Sequence, residues 1–316
     1  MSLKMLPTRD GYGNGLVELG ATRPEVVVLD ADLAKSTRTD WFQAKYPERF
    51  FDIGIAEQDM IGTAAGLSLG GKVPFATTYA VFVAGRAWDQ IRTTVCYSNL
   101  NVKIAGAHGG ISAGGDGATH QSLEDVAVMR VLPNMTVILP CDAIEAKKAT
   151  IAAASMHGPC YLRFAREATP VFTREDDPFE IGKAIVMKPG EDVTIIAAGP
   201  LLHEALLAHD QLAAEGVSAR VINMHTVKPL DAAAVLAAAK ETGAIVTVDE
   251  AQLAGGLGGA VAETLVSTVP VPVEMVGIVD TFLECGLPEE LAVAYNLKAK
   301  DFVDAAKRVL KRKRGD

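Results

Sequence analysis

The sequence predicts an α/β protein built from two parallel-sheet domains. The first observation is the length of 316 residues, which at about 150 residues per domain suggests two domains. The second is the composition, with 49% hydrophobic, 22% charged and 6% aromatic residues, which is typical of a soluble globular chain rather than a disordered one. The third is that short apolar runs alternate with segments of helical spacing, as in a parallel sheet covered by helices on both faces.

Strand and helix patterns alternate through the first half of the chain. The run 57–69 has helical spacing, with Met60, Ala64 and Leu67 on one face, and it ends at Gly70-Gly71. Short apolar runs predict strands at 26–29, 49–55, 73–77, 102–107 and 137–139. Further helices are predicted at 83–97, 123–130 and 143–156.

A second alternation begins near residue 192. Strands are predicted at 192–198, 219–224, 244–248 and 273–279, and helices at 201–214, 231–242 and 300–311. The stretch between the two alternations contains prolines and an acidic run at 175–177, which is typical of a linker. We therefore divide the chain into a first domain over 1–168, a linker over 169–190 and a second domain over 191–316.

Charge and cysteine content argue against several classes of protein. The net charge of −9 and the pI near 5.2 argue against nucleic-acid binding, and the basic run 311–314 is expected at a solvated helix end. The four cysteines show no CxxC spacing, so we expect neither a disulfide framework nor a zinc site. No apolar run approaches the roughly 18 residues of a membrane span, and no signal sequence is recognisable, so we expect a cytoplasmic protein.

Glycine-rich runs occur at two places. The run 254–259 lacks the spacing of a dinucleotide fingerprint, because Val261 stands where a Gly or Ala is needed, and it favours a tight turn that opens a helix. The run 106–117 mixes glycine with His108, Ser112 and Asp116, and His120 follows it. It comes after the predicted strand 102–107, at the carboxyl edge of a parallel sheet, where ligands bind in such folds. Accessible backbone N–H groups beside these polar side chains favour a ligand-binding loop.

A carboxylate stands at a predicted strand-to-helix junction in the segment 52–58. As a structural residue, Glu57 would favour the helix N-terminus and cap its free amides. Its sequence neighbours are small or apolar, which equally favours a carboxylate held away from water for a chemical role. The residues alone leave both interpretations open.

Four segments in order resemble the transketolase family. They are FFDIGIAEQDMIGTAAGLSLGGKVPFATTYAVFVAGRAWDQIR (50–92), AHGGISAGGDGATHQ (107–121), NMTVILPCDAIEA (134–146) and GPCYLRFAR (158–166). The resemblance covers essentially the whole chain and implies a pyrimidine-binding domain followed by a transketolase C-terminal domain. A complete transketolase also has a preceding diphosphate-binding domain, whose GDG…N motif holds magnesium. Gly115-Asp116-Gly117 belongs instead to the sugar-binding loop, and Asn134 is too near to complete that motif. The chain therefore resembles the C-terminal subunit of a split transketolase.

The resemblance implies a thiamine diphosphate enzyme that transfers a two-carbon ketol unit between phosphorylated sugars of the pentose phosphate pathway. Glu57 corresponds to the glutamate that hydrogen-bonds the aminopyrimidine ring and activates the cofactor. Tyr79 and Phe82 correspond to aromatics that pack on that ring, and Asp32 to a residue near the cofactor. Tyr79 stands where the family usually has Phe, and Gly85 where it often has another aromatic residue.

The family's substrate contacts also have counterparts in this sequence. The resemblance implies that the sugar phosphate is bound by Arg9, Ser36, His108 and Arg166. It implies that Asp116 and His120 contact the sugar hydroxyls, and that His120 takes part in proton transfer. Gly115 and Ala118 replace the commoner Glu and Pro of this loop.

The implied partner is an N-terminal subunit that carries the diphosphate-binding domain and the Mg²⁺ ligands, so no metal ligand is expected in this chain. Two copies of each subunit would form an α2β2 assembly around a homodimer of this chain. Other thiamine enzymes remain alternatives, namely 1-deoxyxylulose-5-phosphate synthase and the β-subunit of 2-oxo-acid dehydrogenases. A non-catalytic subunit with the same fold is a further alternative.

Overall fold

The computed structural model describes residues 3–315, so Met1, Ser2 and Asp316, which end the two predicted domains, lie outside the described residues. The strands are β1 (Lys4–Pro7), β2 (Val26–Asp30), β3 (Phe50–Asp52), β4 (Val73–Tyr79), β5 (Lys103–Ala107), β6 (Thr136–Ile138), β7 (Cys160–Phe164), β8 (Ala168–Val171), β9 (Ile185–Lys188), β10 (Val193–Ala197), β11 (Ala219–Asn223), β12 (Thr226–Lys228), β13 (Ile245–Gln252) and β14 (Val273–Ile278).

Helices connect most of these strands. They are α1 (Thr8–Thr22), α2 (Ala34–Thr37), α3 (Asp40–Lys45), α4 (Glu57–Leu69), α5 (Ala80–Arg86), α6 (Trp88–Gln90), α7 (Asp125–Arg130), α8 (Ala143–Ser155), α9 (Leu202–Ala214), α10 (Ala232–Thr242), α11 (Leu257–Val266), α12 (Pro288–Ala294) and α13 (Ala299–Arg314). No helix within residues 3–315 is both long enough and apolar enough to cross a membrane.

Two sheets with mainly parallel strands form the centre of the molecule, which confirms the predicted fold class. The first has the order β12-β6-β7-β5-β4-β2-β3 and the second the order β14-β13-β10-β11-β9. Among the strands described in these two sheets, only β12 and β9 run antiparallel to their neighbours. Strand β1 pairs with β8 in a separate two-stranded sheet. The strand β12 comes from the second half of the chain yet pairs with β6 of the first sheet, so the two halves share a sheet.

Strand β2 shows why the first sheet is covered on both faces. All five of its residues are buried. Val26 and Val28 pack into the core beneath α1 and α8, whereas Val27 and Leu29 pack into the core on the opposite face. Because side chains of a strand point alternately to the two faces, a strand buried on both sides must be apolar throughout.

Most predicted elements occur within one to three residues of their predicted bounds, and α4 occupies the predicted range 57–69. The predicted helix 83–97 is wrong in its bounds and its continuity. The helix begins at Ala80 and breaks after Arg86, because Ala87 leaves the helical region with φ −107° and ψ 13°. After α6 the chain continues as a π-helical stretch, Ile91–Cys96. The segment predicted as a linker, 169–190, includes most of β8 and all of β9.

Candidate active site at the carboxyl edge of the first sheet

Predicted site residues follow the carboxyl ends of neighbouring strands in the first sheet. Along its edge, Arg166 follows β7, His108 follows β5, Tyr79 ends β4, Asp32 follows β2 and Glu57 follows β3. These strands are parallel, so their carboxyl ends meet at one edge. With strands about 4.8 Å apart, the edge from β7 to β3 spans roughly 19 Å. The residues therefore form a row with two ends rather than one compact cluster.

Cationic side chains occupy the β7 end of the row. Arg9 Nη1 donates to the backbone carbonyl of Ser36 at 2.8 Å and lies 3.4 Å from His108 Nε2. Arg166 Nη1 donates to Asp116 Oδ2 at 2.9 Å and to the Ala113 carbonyl at 3.3 Å. The structure thus brings the four predicted phosphate ligands to one region, with Ser36 linked through its backbone.

His108 is a buried, neutral member of this group. It is 1% exposed, has a left-handed backbone with φ 60°, and stacks on Tyr79 with ring centroids 3.9 Å apart. Burial, followed by the positive charges of Arg9 and Arg166, lowers the pKa of His108 to about 3. A guanidinium can only donate, so His108 Nε2 accepts from Arg9, and the buried Nδ1 lacks a hydrogen-bond partner among the described residues.

The glycine loop between β5 and α7 carries the predicted sugar contacts. It contains a 3₁₀ turn, Gly110–Asp116, in which Ser112 Oγ donates to the Gly109 carbonyl at 2.6 Å. Gln121 Nε2 donates to Gly114 O at 3.3 Å and to Glu284 O at 3.1 Å. The second half of the chain therefore supports a loop of the first half.

A buried ion cluster lies beneath this loop and also joins the two halves. Arg163 of β7 lies 3.0 Å from Asp125 Oδ2 and 3.6 Å from Glu250 Oε1, which belongs to β13. Tyr161 donates its hydroxyl to Asp125 Oδ2 at 2.6 Å. Burial disfavours the guanidinium charge, but Asp125 and Glu250 outweigh that effect and raise the pKa of Arg163. A Cβ on Gly110 would lie 2.5 Å from Glu250 Cδ, so only glycine fits above this cluster.

Aromatic rings line the middle of the row. Tyr79 and Phe82 stack with centroids 5.7 Å apart and an interplanar angle of 12°. The His120 ring meets Phe82 edge-on at 5.3 Å, and its Nδ1 lies 2.8 Å from Thr119 Oγ1. Tyr79 is mostly covered, whereas Phe82 is half-buried. Phe82 is therefore the more accessible ring of the pair.

Glu57 marks the β3 end of the row and has a charged neighbour that the sequence analysis did not anticipate. It is the first residue of α4 and is 4% exposed. Arg86 Nη1 donates to Glu57 Oε1 at 2.9 Å, and the guanidinium carbon lies 4.0 Å from the centre of the Phe82 ring. Phe82 and Arg86 are four residues apart on one face of α5, a spacing that could have indicated their mutual contact but not the ion pair with Glu57.

Asp32 lies on an exposed loop after β2. Its side chain is exposed, its φ is 61°, and its backbone N–H donates to Asp52 Oδ1 at 3.2 Å. The neighbouring Asp30 is fully buried and accepts hydrogen bonds from Leu33 N and from the hydroxyls of Thr37 and Thr39, at 2.6–2.8 Å. Burial raises the pKa of Asp30. Asp30 therefore anchors the loop that presents Asp32 and Ser36, a role the sequence analysis missed.

Comparison with known proteins shows the family. Two family models match: the transketolase pyrimidine binding domain over residues 4–171 and the transketolase C-terminal domain over residues 182–301. The chain is 43% identical over 305 residues to the 6-deoxy-6-sulfo-D-fructose transketolase subunit SqwH of Clostridium sp. (strain MSTE9), covering 96% of this chain and 95% of that protein. It is 38% identical over 313 residues to a subunit of apulose-4-phosphate transketolase from Phocaeicola vulgatus, covering 99% of this chain and 100% of that protein.

A solved structure agrees with these relatives. The structure described as a split gene transketolase, inactive beta4 tetramer, superimposes with a TM-score of 0.92 at 49% identity, covering 98% of this chain and 99% of that chain. The fold is that of a pyrimidine-binding domain followed by a C-terminal domain of the transketolase type. The chain belongs to the transketolase family and corresponds to the C-terminal subunits of its split members, which confirms the resemblance seen in the sequence.

The donor set at the β3 end of the row fits the pyrimidine half of thiamine diphosphate. Glu57 offers a buried carboxylate of which Arg86 engages only Oε1, and Phe82 offers a partly accessible ring beside it. An aminopyrimidine needs both a flat apolar surface and a hydrogen-bonding partner for its ring nitrogen. Within residues 3–315 no group of three or more His, Cys, Asp or Glu side chains is arranged to hold a metal ion.

Proposed function

We propose that this chain is the subunit of a thiamine diphosphate-dependent transketolase that moves a two-carbon ketol unit between phosphorylated sugars. One observation carries the proposal: a single sheet edge holds a buried carboxylate beside an accessible ring at one end and a group of arginines around His108 at the other. The first end suits a cofactor ring, and the second suits the anionic end of a substrate. The distance between the two ends is on the order of the length of a sugar phosphate attached to its cofactor ring.

Residues of this chain would hold the pyrimidine half of the cofactor. Glu57 would accept a hydrogen bond from the ring through Oε2, Phe82 and Tyr79 would pack on it, and Asp32 would lie near it. The cofactor, when bound, supplies the electron sink that lets a bond next to a carbonyl break. Glu57 is the group that holds a proton at the ring nitrogen, and its near-complete burial keeps bulk water from competing for that hydrogen bond.

The substrate would bind across the row toward the arginines. Arg9 and Arg166 supply charged donors, which bind a phosphate more strongly than neutral donors do. Ser36 and the neutral His108 complete that end, and Asp116 would contact a sugar hydroxyl. His120 lies against the Phe82 ring at 5.3 Å, between the two ends, where it would both contact a hydroxyl and transfer a proton.

A partner subunit would supply the Mg²⁺ and diphosphate contacts. Two relatives are named as subunits of transketolases, and the similar solved structure is described as a split gene transketolase, inactive beta4 tetramer. These names support a partner subunit, and the assembly that we propose joins a dimer of this chain to two diphosphate-domain subunits. We place that assembly in the cytoplasm and in pentose phosphate metabolism.

Reconstitution tests the proposal directly. The purified chain alone should show no ketol transfer, and activity should appear on mixing with a diphosphate-domain subunit, thiamine diphosphate and Mg²⁺. Substantial activity of the chain by itself would overturn the split arrangement. In the assembled enzyme, Glu57→Gln should slow exchange of the C2 proton of bound cofactor by roughly 10²-fold or more.

A control variant separates this effect from a change in helix charge. Asp59→Asn removes an exposed carboxylate from the same first turn of α4 and should leave the exchange rate unchanged. If Glu57→Gln exchanges as fast as the wild type, Glu57 is a structural residue and the assignment is wrong.

A second substrate class has a specific observation in its favour. The relative from Clostridium is named for a sugar that bears a sulfo group rather than a phosphate. Arginine donors suit both anions, so kcat/KM with a sulfonated ketose should be measured beside that with a phosphorylated one. If kcat/KM is higher for the sulfonated ketose, the proposed substrate is a sulfonated sugar and not a phosphorylated one.

A further inference from the structure

The ion pair between Arg86 and Glu57 joins a mostly exposed cation to a buried anion. The Glu57 side chain is 5% exposed and the Arg86 side chain 49% exposed, with 2.9 Å between Nη1 and Oε1. A carboxylate so deeply buried is costly without a counter-ion or hydrogen-bond donors. Arg86 supplies a counter-ion and a hydrogen-bond donor to Glu57 Oε1, and it does not contact Oε2.

Three contacts fix the position of Arg86. Besides the Glu57 carboxylate, its guanidinium carbon lies 4.0 Å from the centre of the Phe82 ring, which is close enough for cation–π attraction. Its backbone carbonyl accepts a hydrogen bond from Gln58 Nε2 at 3.0 Å, which ties the end of α5 to the first turn of α4. Arg86 therefore connects the two groups that would meet the pyrimidine ring, and a change at Arg86 disturbs both.

We propose that Arg86 is a positioning residue for the cofactor's pyrimidine ring, an inference that rests on the function proposed above. By binding Oε1 it fixes the carboxylate torsion of Glu57, so that Oε2 faces the ring nitrogen. By lying on Phe82 it fixes the plane of the ring on which the pyrimidine packs. Arg86 acts through Glu57 and Phe82 and does not itself touch the reacting atoms.

Cofactor binding without sugar gives a readout apart from catalysis. In the assembled enzyme with Mg²⁺, Arg86→Met should raise the calorimetric Kd for thiamine diphosphate by roughly tenfold or more, the scale expected for one charge-assisted hydrogen bond. Arg86→Lys keeps a charge and should recover part of that loss. The control is Arg308→Met. Arg308 forms an ion pair of the same kind with Glu274 in the second half of the chain, at 2.8 Å, and breaking it should leave the Kd unchanged.

A double-mutant cycle distinguishes positioning from general stability. If Arg86 acts through Glu57, Arg86→Met should have little further effect on Kd in the Glu57→Gln background. Additive losses would overturn the inference, and so would an unchanged Kd in Arg86→Met. Tighter binding in Arg86→Met would mean that Arg86 occupies the ring's place and would also overturn it. Failure of the wild-type assembly to bind thiamine diphosphate would instead overturn the proposed function.

Discussion

Arg166 and Asp116 form an ion pair across the mouth of the glycine loop, with Nη1 and Oδ2 2.9 Å apart. Arg166 is proposed to bind the substrate phosphate, and Asp116 is proposed to bind a sugar hydroxyl. Both side chains are about one-third exposed, at 35% and 34%, so the pair is accessible to a ligand and weak enough to be rearranged by one. A substrate phosphate would compete with Asp116 for Arg166, and in doing so would free the Asp116 carboxylate for the sugar.

Arg166→Gln should therefore impair phosphorylated substrates selectively. The loss of a charge-assisted hydrogen bond, about 1.5–3 kcal/mol, predicts a KM for the sugar phosphate that is roughly 10 to 150 times higher. Steady-state kinetics with phosphorylated and non-phosphorylated acceptors will check this, and the latter should barely change. Arg174→Gln removes an exposed arginine that pairs with Asp177 outside the site, and it should affect neither. Equal losses on both acceptor types would show that Arg166 is structural.

The glycine loop offers a second test, because two of its glycines have different surroundings. Gly110 has φ +65°, and an added Cβ would lie 2.5 Å from Glu250 Cδ, whereas Gly115 has open space around it. Gly110→Ala is thus strained in the backbone and crowded by the buried ion cluster. It should lower Tm and reduce ketol transfer by tenfold or more. A Gly110→Ala enzyme of wild-type Tm and activity would mean that the loop shifts freely.

Gly115→Ala is the matched control for that experiment. It adds the same methyl group to the same loop, but at an exposed position without a positive φ. Both Tm and activity should stay near wild type. A large loss in Gly115→Ala would show that the loop is sensitive to any added side chain, whatever its packing.

Local patterns predicted α4 because its buried residues recur at helical spacing, and they predicted most strands because these are short apolar runs. Helix α1 was not predicted, since glycine disfavours helices and this segment contains four of them. The structure explains these glycines by close packing: a Cβ on Gly15 would lie 2.9 Å from Thr150 of α8, and one on Gly13 only 2.7 Å from Trp41. Tertiary contact overrides helix propensity here, and a single sequence does not display that contact.

The candidate site also contains residues that the sequence predicted and residues that it did not. Family motifs named the residues of the row, and the strand pattern placed the glycine loop at the carboxyl edge of the sheet. Arg86 was missed because its partner Glu57 lies 29 residues earlier in the chain. Asp30 was missed because its hydrogen bonds to Leu33, Thr37 and Thr39 depend on how the loop after β2 folds back on it. The strand β12 was missed because its partner β6 lies about ninety residues earlier in the chain.

A buried carboxyl group between the two halves predicts a change of stability with pH. Glu145 of α8 accepts hydrogen bonds from Cys141 N and Asn223 Nδ2, both at 2.7 Å, and burial raises its pKa to about 7. Since the ordinary value is 4.5, the unfolded chain releases this proton at lower pH than the folded chain does. The stabilisation from this group is therefore complete below about pH 4.5 and is lost as the pH rises through 7.

Glu145→Gln should remove this pH dependence, since an amide does not ionise. Asn223 Oδ1 has no hydrogen-bond partner in the described chain, so the Asn223 amide can turn to accept from the new Gln NH₂ group. At pH 5 the free energy of unfolding should differ little from wild type, whereas at pH 8 the variant should be more stable by about 2–3 kcal/mol. Urea unfolding at both pH values measures the difference. Glu175→Gln, at an exposed position, should change stability at neither pH. A Glu145→Gln effect of the same size at pH 5 and pH 8 would show that Glu145 ionises alike in both states.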